Sequence, residues 1–211
     1  MKSLLAIAAV VFATTFAAPA LAQMGSAGGN YDDYTGGIRD PGIRDPRIGK
    51  SKQGNDPEGI AEDLRLSGQC DKAVPLFRRL AAQGQGFEIS QFNLGMCLFD
   101  LAKANKDPAE AQALNKEGTD WVLRAANAGY GKAQAMAILV YLDGLGVAAD
   151  PVEAGKWAYI FHDNGTRMVL GLPDLDPSLR GRLDSVLTGD KKREARARAD
   201  SWTQTVARED P

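Results

Sequence analysis

Cys70 and Cys97 are the only cysteines in 211 residues, and His162 is the only histidine. Two thiols can close a disulfide in an oxidising compartment. A lone histidine can act as a general base, and carboxylates brought together by a fold can share acid–base work. With a single imidazole, histidine-rich metal sites and paired-histidine chemistry are excluded. His162 stands just before Asp163-Asn164-Gly165, a helix-ending sequence, where the helix dipole alone accounts for a cationic side chain. The chain has no Gly-rich phosphate loop, no G-x-S-x-G and no Cys-x-x-Cys. No catalytic residue, metal ligand or cofactor is therefore expected. The Asp and Glu residues read as helix starts and exposed faces.

The cysteines need two elements to bring them together. If Cys70–Gln83 and Phe87–Ala102 are antiparallel helices, the thiols lie about 15 and 12 residues from the turn centre, an axial offset of about 4–5 Å. A bridge would close about 28 residues and contribute roughly 3–4 kcal/mol on the loop-entropy model. Two separate buried thiols are the alternative, and the bridge is the expectation.

Apolar spacing supplies those helices. Asp56-Pro57 opens one with Ile60, Ala61 and Leu64 on its inner face, and Ser67-Gly68 ends it. Ala73, Leu76, Phe77, Leu80 and Ala81 mark the second, and Phe92, Leu94, Leu98 and Phe99 the third. Asp107-Pro108 opens a fourth over 108–127, either continuous or broken at Gly118. Ala133, Ala137 and Tyr141 mark a fifth that ends at Asp143-Gly144, and Asp150-Pro151 starts a sixth. Trp121 precedes Gly129 by eight residues, Trp157 precedes Gly165 by eight, and the tryptophans are 36 apart. Such a period marks a repeated supersecondary unit. Each indole should fill a gap between helices, so either Trp→Ala change should cost roughly 3–5 kcal/mol.

These residues resemble the Sel-one-like repeat family, related to the tetratricopeptide repeats. The run Ala133-Gln134, Tyr141-x-x-Gly144-x-Gly146-Val147, Asp150-x-x-x-Ala154-x-x-Trp157 and Gly165 follows the family's pattern. Ala137-Ile138 replaces its Leu-Gly, and Ala-Tyr-Ile-Phe follows Trp157. An earlier copy opens with Ser90-Gln91-x-x-Leu94-Gly95 and closes with Trp121, Ala125 and Gly129, the tryptophan arriving seven residues late. Leu76-x-x-Arg79-Leu80-Ala81-x-x-Gly84 resembles a degenerate first copy. The resemblance covers about 58–165. It implies a right-handed α-solenoid of stacked helical hairpins over 56–170, with a groove lined by the first helix of each hairpin. Glu62, Arg65, Phe92, Met96, Phe99, Leu139 and Asp143 are the candidates for that groove, with helix–helix core as their other fate.

Residues 1–22 read as a cleavable signal peptide: Lys2, an apolar run over 4–18, and Ala20-Leu21-Ala22 before Gln23. Removing Lys2 takes the 25 basic side chains to 24 against 27 acidic, a formal −3, which leaves no electrostatic footprint for nucleic acid. Residues 23–55, with the tandem Gly37-Ile-Arg-Asp-Pro41 and Gly42-Ile-Arg-Asp-Pro46, hold few large apolar residues and read as a disordered leader or a short docking motif. Residues 171–211 read as a capping pair of helices, one marked by Leu179, Leu183, Val186 and Leu187, the other by Ala195, Ala199, Trp202 and Val206. The basic run at 191–193 with Arg196 and Arg198 is interleaved with acids, the pattern of a solvated face.

The expected product is periplasmic or secreted, with no membrane insertion after signal cleavage. It is an adaptor of the bacterial cell envelope that binds a protein or peptide on a concave helical surface. An envelope hydrolase, suspected among disulfide-rich members of the resembled family, is the alternative; closely spaced cysteines are expected there, and here the pair is 27 apart.

Overall fold

The computed structural model describes residues 56–169 and 173–205. The signal peptide, its cleavage point and the 23–55 leader lie outside them. Among the described residues every regular element is a helix: α1 (Pro57–Leu66), α2 (Cys70–Ala81), α3 (Glu88–Ala104), α4 (Pro108–Asn127), α5 (Gly131–Asp143), α6 (Pro151–His162), α7 (Gly165–Val169), α8 (Pro177–Val186) and α9 (Asp190–Asp200). From α1 to α6 each helix packs on the next in sequence, and α9 returns to pack on α6.

The starts follow from local chemistry. Asp56, Asp107, Asp150 and Asp176 each accept a main-chain N–H of the first turn, and a proline follows each one. The carboxylate satisfies an otherwise orphaned donor, while the proline gives up only an N–H that the first turn does not use. Gly144 closes α5 in the left-handed region, at φ 71°. Gly165, expected to mirror Gly129 as a helix end, instead opens the short α7. Trp202, expected on the last helix, lies beyond its end at Asp200.

Two apolar clusters share α3. Leu94, Cys97 and Leu98 face Ala61 of α1 and Ala73, Val74, Phe77 and Leu80 of α2. Phe92, Met96 and Phe99 face the larger cluster of Val122, Ala125, Met136, Leu139 and Trp157, which continues through Leu179, Leu183, Leu187 and Ala195. Residues 90–99 are therefore buried without a break. Ten consecutive positions take in every side of a helix. α3 is consequently buried all round here, mostly by apolar side chains, with Ser90, Gln91 and Asn93 as the buried polar exceptions.

Gly118 does not break α4, which runs continuously for 20 residues. Its role is proximity. A Cβ on Gly118 would stand 3.0 Å from Gly95 O, and one on Gly95 would stand 2.7 Å from Gly118 O. The paired glycines let the α3 and α4 backbones approach closely. The middle turns of α4 also receive the loop after α5: the Thr119 hydroxyl donates to Leu145 O, and a Cβ on Gly146 would meet the main chain of Asn115 and Lys116. The two extra turns ahead of Trp121 thus form the seat for that glycine loop.

Candidate interaction surface

The structure divides the seven groove candidates. Phe92, Met96, Phe99 and Leu139 are 7, 4, 2 and 1 % exposed and belong to the core between α3, α4 and α5. They are not a binding surface. The physical reason is that α3 and α5 are covered on every side, so large apolar side chains there gain more from enclosure than a groove offers. Asp143, partly exposed at the end of α5, forms an ion pair with Arg182 of α8. Glu62 stays half-exposed on α1, 3.9 Å from the Arg65 guanidinium. Arg65 is mostly covered, and its Nε has no partner among the described residues.

Cys70 and Cys97 are joined as a disulfide, with Cα atoms 5.1 Å apart. Antiparallel α2 and α3 bring them to one level, as the spacing predicts. Both residues are buried, so the bridge fastens α3 to α2 from within the smaller cluster.

His162 ends α6 with Nδ1 2.8 Å from Asp174 Oδ2, and Arg180 approaches the same oxygen at 2.8 Å. Burial works against the charged form of Asp174. The Leu175 N–H, the His162 hydrogen bond and the Arg180 charge outweigh it and hold the carboxyl below the usual range. This cluster ties the segment before α8 to the end of α6, and more than half of the His162 side chain faces solvent.

The basic run on α9 is engaged in pairs. Arg198 reaches Glu153 and Glu194, each at 2.6 Å, and Arg196 reaches Asp163 at 2.9 Å and Asp200 at 2.8 Å. Glu153 also holds Lys156 at 2.6 Å. Burial, then the charges of Glu153 and Asp150, push the nearby Tyr141 phenol up. It therefore stays neutral beside those carboxylates.

Polar groups also converge on the turn between α4 and α5, from Asn127 to Gly129. Helix ends leave their last carbonyls without intrahelical donors. Here those acceptors are supplied from three distant stretches. Gln134 Nε2 donates to Ala126 O at 3.3 Å. Asn164 Nδ2 donates to Gly129 O at 3.1 Å and to Gln134 Oε1 at 2.7 Å. The segment after α9 supplies the rest. Trp202 Nε1 donates to Asn127 Oδ1 at 3.1 Å, Gln204 Nε2 to Ala128 O at 2.7 Å, and the Thr205 N–H to Asn127 O at 3.0 Å. The Trp202 ring meets buried Trp157 edge-on, with centroids 6.2 Å apart. Neither periodicity nor a motif connects residue 202 to residue 127 across 75 positions, so this assembly is invisible in the sequence. What it assembles is a row of carbonyls and an amide oxygen, each met by a donor from elsewhere in the chain, beside the Trp157–Trp202 pair.

Among the described residues no group of three or more metal-ligating side chains is assembled, and no helix is long and apolar enough to cross a membrane. No family model and no curated protein matches the chain. The resemblance to Sel-one-like repeats therefore rests on the quoted residues alone.

Proposed function

We propose that the chain is an exported helical-repeat interaction module: a right-handed solenoid of stacked hairpins, closed by α8 and α9, that holds a protein or peptide partner in the bacterial cell envelope. The observation that carries this is a recurring turn. Gln91 and Gln134 lie 43 residues apart at matching positions of the Sel-one-like pattern. Each sends its amide to a matching alanine carbonyl, Ala81 at 3.4 Å and Ala126 at 3.3 Å. A sequence repeat expressed as the same hydrogen bond supports a repeated supersecondary unit, and stacked units serve above all as binding surfaces.

With the apolar faces of α3 and α5 enclosed, the partner meets the hairpin turns and the exposed side of α1. Affinity capture from envelope extract, using the mature chain and a Glu62→Lys variant, tests this. A partner retained by the first and reduced with the second is expected. Failure to retain any partner, together with a hydrolytic activity lost in His162→Ala, would establish the enzyme class instead. The one observation on that side is the His162–Asp174 pair, which orients an imidazole as a base requires.

A further inference from the structure

The segment after α9 makes its contacts in the manner of a bound peptide. Residues 201–205 are outside any helix, and four of the five are exposed, Trp202 alone being half-buried. The Trp202 ring packs on Trp157 of α6, and the α4–α5 turn is held by the Trp202 Nε1–H, the Gln204 side-chain amide and the Thr205 main-chain N–H. Extended ligands bind folded domains in this way: main-chain bonds give affinity, and pockets for alternate side chains give specificity. The receiving side is shaped for close approach. Gly129 adopts φ 90°, and a Cβ there would stand 2.8 Å from Gln204 Nε2, so only glycine both makes the turn and admits the amide.

We propose that Trp202–Thr205 is an internal occupant of a peptide-binding site formed by Asn127, Ala128, Gly129 and Trp157, and that a partner's extended segment displaces it. The chemistry of the occupant defines the partner: a tryptophan, an amide side chain two residues later, and a free main-chain N–H at the next residue. Displacement is physically accessible because the strap lies outside any helix and four of the five residues 201–205 are exposed, the properties of segments that open locally. The intact strap competes at an effective concentration of about millimolar, so an outside peptide binds the closed protein weakly and the opened protein well. The proposal rests on the interaction-module reading above and gives that reading its ligand class.

The test uses the full chain, 15N-labelled, titrated with the synthetic peptide Ser-Trp-Thr-Gln-Thr and followed by NMR. In a Trp202→Ala/Gln204→Ala variant the strap is disabled in place. Saturable shifts centred on Asn127–Gly129 are expected in that variant, with an affinity at least tenfold greater than in the unmodified chain. Adding Asn127→Ala to the variant, or replacing the peptide's tryptophan by alanine, should abolish them. Equal affinity for both chains, or no shifts in the folded variant, overturns the proposal. A variant that has lost its cooperative melt also overturns it, since a displaceable strap must leave the remaining structure standing. If the peptide fails while envelope capture still yields a partner, the strap is a structural clamp and the module reading survives.

Discussion

Gln91 and Gln134 occupy the same place in successive hairpins, yet only Gln134 is fully satisfied. Gln134 Oε1 accepts from Asn164, whereas Gln91 Oε1 is buried with no partner among the described residues. Gln91 spends its amide on both Ala81 O and Gly84 O. Counting seven residues on from each tryptophan, Asn164 corresponds to Ala128, which carries no donor. Ala128→Asn should therefore supply the missing hydrogen bond and stabilise the fold by about 0.5–1.5 kcal/mol. Urea denaturation of the variant checks this; an unchanged or lower midpoint would show that the added amide does not reach Gln91.

Gly118→Ala reverses the usual sign. In an exposed helix interior the change is worth about 1 kcal/mol in favour of alanine. Here the new methyl would stand 2.9 Å from the Phe99 ring and 3.0 Å from Gly95 O, between two packed helices. Overpacking of this kind costs about 1–3 kcal/mol, so the variant should melt below the parent.

Reducing the Cys70–Cys97 bridge, or replacing both cysteines by alanine, should lower stability by about 3–4 kcal/mol, as a crosslink closing this length of chain does. Denaturation with and without reductant separates the two contributions. The parent should respond to reductant and the double variant should not.

The two repeat tryptophans are unequal. Trp157 is 2 % exposed and enclosed by the larger cluster, so Trp157→Ala should cost about 3–5 kcal/mol. Trp121 is half-buried; the Arg124 guanidinium lies 4.9 Å above its ring, and Nε1 reaches Glu117 at 3.4 Å. Its loss should cost clearly less than that of Trp157, contrary to the equal costs that the spacing predicts. Paired thermal melts compare them directly.

Acid should loosen the junction between α6 and α8. The folded carboxyl of Asp174 titrates below its ordinary value of 3.8, so its stabilising contribution is complete above that value and is lost as pH falls through the lower, folded one. In Asp174→Asn that part of the acid dependence should vanish. At neutral pH the variant should lose less than about 1 kcal/mol, since the cluster is largely solvated. Stability measured between neutral pH and strong acid for both chains tests the sign.

How much of this could be read from the residues depends on the range of the interaction. Asp-Pro helix starts, the left-handed glycine after Asp143 and the meeting of Cys70 with Cys97 depend on neighbours or on one turn, and the sequence carries them openly. Four groove candidates prove to be core, because a stripe such as Phe92, Met96 and Phe99 looks the same whether a ligand or another helix covers it. Gly118 was ambiguous for a related reason: only the approach of Gly95, from a different helix, turns a potential break into a contact. The Asn127–Gly129 assembly draws on residues 164 and 202–205, and no local pattern encodes those meetings.

Because α3 is shared by both clusters, it acts as a keystone. A chain cut between α3 and α4 would leave one fragment with Phe92, Met96 and Phe99 bare, and the other with a hollow where they had been. Neither piece could close over its own wound. Melting should thus proceed in a single step from α1 to α9, and a protease should find no interior cleavage point that releases a stable half.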